Sequence, residues 1–185
     1  MKQRCGWAGD EHSLMRKYHD EEWGVPVHDD RELFEFLILE GAQAGLSWNT
    51  ILNRRENYRE AYDNFDIEKM AAYDEDKIAE LMTNAGIIRH KLKLLSAVRN
   101  AKAALKVIKE FGSLDAYLWS FVNGEPIQNT FETMQDIPVK TPLSESMSKD
   151  LKKRGFNFVG PTICYAFMEA VGMVNDHEVG CFRWR

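Results

Sequence analysis

Cysteine is scarce in this chain: Cys5, Cys164 and Cys181 are the only three among 185 residues. An odd, widely spaced set argues against a disulfide scaffold and favours free thiols or metal ligands. The opening MKQRCGW has no apolar core, so no signal peptide is expected. No apolar run approaches the roughly 20 residues that a membrane span requires. Membrane and secreted classes are thereby excluded, and a cytoplasmic location is expected. Positive charge is also short, with 24 Lys and Arg against 29 Asp and Glu, a net −5 that argues against a nonspecific nucleic-acid binder. The deficit is local: the first 40 residues hold ten acids and five bases, and the other 145 hold nineteen of each. There is no internal repeat, low-complexity tract, long polar linker or alternating strand pattern.

Helix signals fill the space that strands leave. Asp29 and Asp30 are cap candidates for a helix through Leu33–Leu39 that ends near Gly41. Residues Leu46 to Tyr62 read as a second helix, Asp66 to Met70 as a short third and Asp74 to Met82 as a fourth. Leu94, Val98, Ala101, Leu105 and Ile108 recur at helical spacing up to Gly112. Ser113 starts a helix through Val122, and Thr141–Pro142 one that Gly155 closes. The last runs from Gly160–Pro161 through Met173. The fold class is all-α: one compact domain of seven or eight helices, irregular at both chain ends and between Asn123 and Val139.

Chemistry-bearing residues gather in three places. From Arg89 to Lys109 there are seven bases and no acid, four of them in a stripe at Arg99, Lys102, Lys106 and Lys109. Just ahead, Ala85–Gly86–Ile87–Ile88 is a tight turn between two helices. It suits backbone N–H groups aimed at a phosphate, the logic of a helix-hairpin-helix module, although Ile88 replaces the usual second glycine. Taken alone, the stripe is equally a solvated helix face. At the chain ends, Cys5, His19, His177 and Cys181 form a Cys2His2 set that suits tetrahedral Zn²⁺, though three Cys and five His offer many such combinations. A full set would be closed to substrate and therefore structural. Third, Trp7, Tyr18, Trp23 and Trp48 share the acidic part of the chain with Glu40, which ends a strongly apolar helix. Aromatic faces plus an acid suit a planar, cationic or N–H-rich ligand; the plainer reading is core aromatics and a surface charge.

The stretches Cys5–Gly6–Trp7, Tyr18–His19–Asp20–Glu21–Glu22–Trp23–Gly24–Val25–Pro26 and Leu39–Glu40–Gly41–Ala42–Gln43–Ala44–Gly45–Leu46–Ser47–Trp48 resemble the DNA-3-methyladenine glycosylase I (Tag-type) family. So do Arg55–Glu56–Asn57–Tyr58, Ala85–Gly86–Ile87–Ile88–Arg89–His90, Leu118–Trp119–Ser120–Phe121–Val122–Asn123, Leu151–Lys152–Lys153–Arg154–Gly155–Phe156 and Val174–Asn175–Asp176–His177. The resemblance runs in order along nearly the whole chain. It implies a single helix-hairpin-helix glycosylase domain over 1–185, with the hairpin at about 75–109 and zinc-linked termini at 1–24 and 174–185. It implies one structural zinc per chain on Cys5, His19, His177 and Cys181. The flipped base would lie between Tyr18 and Trp48, with Trp7 nearby and Glu40 on its edge. DNA contacts would come from Gln43, Gly45, Leu46, Gly86, Arg89, His90 and Lys91, Leu46 near the gap left in the duplex.

Met15 departs from the tyrosine that family members often carry three positions before the Tyr18 equivalent, which bears on base selectivity. The implied activity is hydrolytic release of 3-methyladenine from alkylated double-stranded DNA by a monomer. Glu40, with a reference pKa of about 4.3, would be ionised at neutral pH. No lysine stands in a Schiff-base context, so lyase activity is not expected. A non-catalytic DNA-binding hairpin module and a small-molecule enzyme with an aromatic pocket are the rival readings.

Overall fold

The computed structural model describes residues 2–184. Side-chain caps set most of the helix starts. Ser13 caps α1 (Leu14–Glu21), Asp29 caps α2 (Asp30–Gln43) and Ser47 caps α3 (Trp48–Leu52). α4 (Arg55–Ala61) follows, then α5 (Ile67–Ala71) and α6 (Glu75–Thr83), capped by Asp66 and Asp74. α7 (Lys91–Phe111) is capped by His90 and stopped by Gly112 in the left-handed region. Ser113 caps α8 (Leu114–Trp119), Thr141 caps α9 (Pro142–Lys153), and Pro161 opens α10 (Pro161–Ala170). Each cap satisfies one of the amides that the first turn leaves without a partner.

α2 is the axis of the molecule. Its residues from Leu33 to Ala42 are all buried, and α3, α7, α8 and α10 pack around it. α7 lies on α5, and α9 on α10. The buried Glu35 on this apolar helix is fully paired. It accepts from Arg55 Nε at 2.6 Å, Arg59 Nη2 at 2.8 Å and Arg31 Nη1 at 2.8 Å. The cations offset burial and hold the carboxyl below its ordinary value. The network ties α4 to the flank of α2.

Several expectations need correction. Residues 2–13 are irregular as expected, but Ser13 then starts α1, a helix the sequence reading lacks. The helix expected over Leu46–Tyr62 is two, α3 and α4. Asn53 turns its amide onto the Asn49 carbonyl at 2.7 Å, and Arg54 reaches the carbonyls of Ala85 at 3.2 Å and Gly86 at 3.4 Å. Gly41 does not end α2, which runs to Gln43, so Glu40 lies within its last turn. The helix expected to reach Val122 tightens to a 3₁₀ turn after Trp119, and α10 stops at Ala170 rather than Met173. The segment 123–139 is largely irregular. It carries one short strand, β1 (Ile127–Gln128), paired in parallel with β2 (Val174–Asn175). Two residues are too few to leave a period in the sequence.

Candidate functional site

A cavity of about 430 Å³ opens beside the last turn of α2. Trp7, Met15, Tyr18, Trp23, Glu40 and Trp48 line it from the amino-terminal third, and Tyr165 and Glu169 from α10. Met134, Ile137, Pro138 and Val139 complete the wall, with Val139 72% exposed at the rim. Seven residues singled out from the sequence, Trp7, Met15, Tyr18, Trp23, Glu40, Gln43 and Trp48, thus share one cavity. The 134–139 wall and Glu169 were not singled out.

Tyr18 and Trp48 do not stand as parallel plates. Their ring centroids are 5.3 Å apart and tilted by 50°. A base sandwiched between them would need about 7 Å, twice a stacking contact of roughly 3.5 Å. The two rings therefore form a corner of the cavity, and a planar ligand would stack on their open faces. Trp7 meets Trp23 edge-on at 4.8 Å and lies 6.3 Å from the Tyr18 ring, extending the aromatic wall. The Trp48 indole N–H is buried without a hydrogen-bond partner among the described residues.

Glu40 is 4% exposed, and its carboxyl makes no hydrogen bond or ion pair among the described residues. Burial pushes its pKa up to about 8. Against the expectation that it is ionised at neutral pH, burial favours its neutral form in the free protein. Burial likewise holds the Tyr18 phenol neutral, well above its ordinary value. What the cavity presents is a latent anion among aromatic faces.

The Gln43–Leu46 turn continues directly from Glu40. Leu46 N–H donates to the Gln43 carbonyl at 2.6 Å, Gly45 sits at φ +79°, and Leu46 is 41% exposed. Lys93, one of the seven bases between Arg89 and Lys109, is turned inward. Its Nζ donates to the carbonyls of Ala42 at 2.8 Å and Ala44 at 2.7 Å. It thus binds the negative end of α2, a place that otherwise lacks a base. Lys93→Met removes two charge-assisted bonds and is expected to cost about 2 kcal/mol in urea unfolding. A midpoint unchanged from the parent protein would show that water replaces the lysine.

The hairpin turn joins α6 to α7. Gly86 is required there by close approach, since a Cβ would stand 2.9 Å from Asn57 Cγ. Gly86 N–H donates to Asn84 Oδ1 at 2.8 Å and Ile88 N–H to the Tyr58 hydroxyl at 3.1 Å. Two of the amides expected to face a phosphate are thus already engaged, one within the turn and one by Tyr58 of α4. His90 is occupied as the cap of α7, while Arg89 and Lys91 are exposed.

At the chain ends, Cys5, His19, His177 and Cys181 are all buried, with their ligand atoms within 4.8 Å of one another. Cys5 Sγ is 3.4 Å from His177 Nδ1, and Cys181 Sγ is 3.5 Å from both His19 Nε2 and His177 Nδ1. Around a tetrahedral ion with Zn–S of about 2.3 Å and Zn–N of about 2.05 Å, sulfur and nitrogen stand roughly 3.5 Å apart. The outer ring nitrogens are also engaged, His19 Nδ1 with Asp20 at 2.8 Å and His177 Nε2 with the Trp23 carbonyl at 3.0 Å. Backbone N–H groups of Glu178 and Arg183 approach the two sulfurs at 3.4 and 3.5 Å. Burial, with Cys181 and Glu178 adding to it, pushes the Cys5 thiol up to about 12, so a divalent cation is what would make these thiolates favourable. The donor set and spacing fit a metal, and would join the two chain ends.

Residues 7–184 match the sequence profile of the methyladenine glycosylase family. DNA-3-methyladenine glycosylase 1 of Escherichia coli (strain K12) is 49% identical over 179 residues, covering 97% of this chain and 95% of the relative. The crystal structure of a 3-methyladenine DNA glycosylase I superposes with a TM-score of 0.94 at 49% identity, covering 97% of this chain and 98% of the other. A variant of such an enzyme, solved in complex with 3-methyladenine, gives 0.93 at 37% identity, covering 97% and 96%. This chain belongs to the methyladenine glycosylase family.

Proposed function

We propose that the chain is a monofunctional DNA glycosylase that takes an alkylated adenine out of duplex DNA and releases it as free 3-methyladenine. The observation that carries this reading is Glu40, a buried carboxyl with no partner of its own, on the floor of an aromatic cavity. Such a group is costly unless a ligand supplies the missing charge or donors. A 3-methylated adenine still bonded to deoxyribose supplies both, because it is cationic and carries exocyclic N–H groups.

That charge also makes the chemistry easy. When the C1′–N9 bond breaks, its electron pair neutralises the base, so no acid is needed to protonate the leaving group. Water adds at C1′ and gives up a proton. The protein's task is to extrude the nucleotide, at a cost of a few kcal/mol, and to hold the base. Tyr18 and Trp48 offer faces to the cation, with Trp7 behind them. Glu40, ionised as the cation enters, accepts N–H bonds from the adenine edge. The Gln43–Leu46 turn would fill the space left in the duplex, with Gly45 permitting its tight path. Arg89 and Lys91, exposed at the hairpin, would hold the phosphate backbone, with Gly86 and His90 shaping the turn that presents them. Zinc on Cys5, His19, His177 and Cys181 would supply no chemistry beyond fixing Tyr18, Trp23 and Asp176, which neighbour those ligands in the chain or by hydrogen bond. Met15 in the cavity wall bears on how narrowly the base is selected.

The pH dependence tests the assignment of Glu40. Its neutral form predominates below about pH 8 and its anion above, and kcat/KM reports the free enzyme. The substrate cation is fixed by methylation and does not titrate in this range. kcat/KM should therefore climb close to tenfold per pH unit below about pH 8 and level off above it. A profile flat between pH 6 and pH 9 would contradict the assignment.

A further inference from the structure

The 134–139 wall of the cavity has few bonds of its own to the rest of the fold. Met134, Ile137, Pro138 and Val139 line the cavity, yet Met134 is 52% and Val139 72% exposed. Within 132–139 every hydrogen bond among the described residues is internal. Thr133 N–H and its hydroxyl donate to Asp136 Oδ2, both at 2.9 Å, and Ile137 N–H to the Met134 carbonyl at 3.3 Å. Exposed, irregular chain of this kind takes its position from whatever holds its ends.

The stretch just ahead of the wall is held by the last part of the chain. Ile127 N–H donates to the Met173 carbonyl at 2.9 Å, Asn129 N–H to that of Asn175 at 3.2 Å, and Val179 N–H to that of Phe131 at 2.9 Å. A two-residue strand is marginal by itself. The Asn129 residue adds two ties across it. Its Nδ2 donates to Asp176 Oδ1 at 2.7 Å, and its carbonyl accepts from Trp184 Nε1 at 3.0 Å. Asp176 is fully buried, and its other oxygen accepts from the Tyr165 hydroxyl at 2.6 Å. Tyr165 lines the cavity from α10. One buried side chain thus joins the α10 wall to the root of the 134–139 wall.

We propose that Asn129 is a positioning residue for base recognition: it fixes the root of the 134–139 wall and so sets how closely that wall meets the base. The inference rests on the reading of this cavity as the base site. Asn129 does not line the cavity, so it acts only through the wall. The lining side chains of that wall are apolar and carry no charge that could follow the cation from base to sugar. Their contact is equal for the bound base and for the transition state, which makes Asn129 a determinant of binding.

The test is a double-mutant cycle in the full, metal-loaded protein, between Asn129→Ala and Ile137→Ala, read by tryptophan-fluorescence titration with free 3-methyladenine. Each single variant is expected to bind the base about tenfold more weakly. Independent losses would multiply to about a hundredfold, whereas a residue that acts through the wall adds little once Ile137 is cut back. The double variant should therefore stay close to the single ones. Amide exchange of residues 133–139 should quicken in Asn129→Ala, and the pH at which kcat/KM levels off should stay at the parent's value, because Glu40 is untouched. If Asn129→Ala disturbs the metal ligands through Asp176, Trp184→Phe, which removes the other tie and keeps a ring, carries the same cycle. Losses that multiply, or parent-like affinity in both Asn129→Ala and Trp184→Phe, would overturn the inference. A parent protein that neither binds 3-methyladenine nor releases it would remove the base-site reading itself, and this inference with it.

Discussion

Glu40→Gln is expected to lower kcat/KM for excision roughly a hundredfold and, in the same molecule, to raise the melting temperature at about pH 9. The first effect follows from losing the anion that meets a cationic base. Two factors of ten correspond to about 2.7 kcal/mol, within the reach of a close charge pair at a partly buried site. The second follows from the direction of the pKa shift. The folded-state value of Glu40 is raised from 4.5 to about 8, so the folded protein holds a proton that the unfolded chain has released. The stability tied to that proton is complete below about pH 4.5 and is lost as pH rises to about 8. A shift of that size is on the order of 5 kcal/mol, and a buried glutamine amide that finds no partner gives back about 1–3. The net gain at about pH 9 is on the order of 2–3 kcal/mol, or roughly 5–10 °C in a chain of this length, vanishing near pH 5. If Glu40 were instead an obligatory general base, the glutamine variant would bind 3-methyladenine normally and show no turnover at all. Slow but measurable release is the result expected of a recognition residue.

Removing the metal is the second large effect. A ligand present at about a thousand times its dissociation constant stabilises the folded state by roughly 4 kcal/mol. For this length that is about 10–15 °C in melting temperature, which chelation or Cys181→Ser should abolish. Inorganic analysis should find one zinc per chain in the parent protein and none in the serine variant. Because the four ligands are shared between residues 5–19 and 177–181, limited proteolysis should cut first near the chain ends. A variant that melts with the parent protein and retains its proteolytic pattern would show that packing around His19 and His177 suffices without an ion.

Much of the fold was legible because short-range chemistry determines it. Asp29, Asp66, Asp74, Ser113 and Thr141 each cap the helix that their side chains suggest, and Gly112 ends α7 as expected. Misreadings arose where a long-range bond overrides a local signal. Residues 46–62 look helical throughout, yet Arg54 breaks the run to reach the hairpin carbonyls. Lys93 looks like one more surface base until its two bonds to the end of α2 are seen. The metal ligands and Glu40 were accessible as residue types, but only folding decides which of five histidines meet the two thiols. Glu169 carries a signal in the sequence, a lone acid in a largely apolar helix. Glu35 carries the same signal and is simply paired with three arginines, so an acid on a buried helix does not by itself mark a site. The 134–139 wall left none, since its irregular chain reaches the cavity through contacts far apart in sequence.

The most direct measurement is to incubate zinc-replete protein with methylated duplex DNA and identify the bases set free. Release of 3-methyladenine, with 7-methylguanine left in the duplex, is the predicted result. It would place a cationic adenine against Glu40 in a narrow cavity that Met15 helps to wall. Folded, zinc-replete protein that binds the duplex and releases no base would contradict the account and leave a DNA-binding hairpin module in its place.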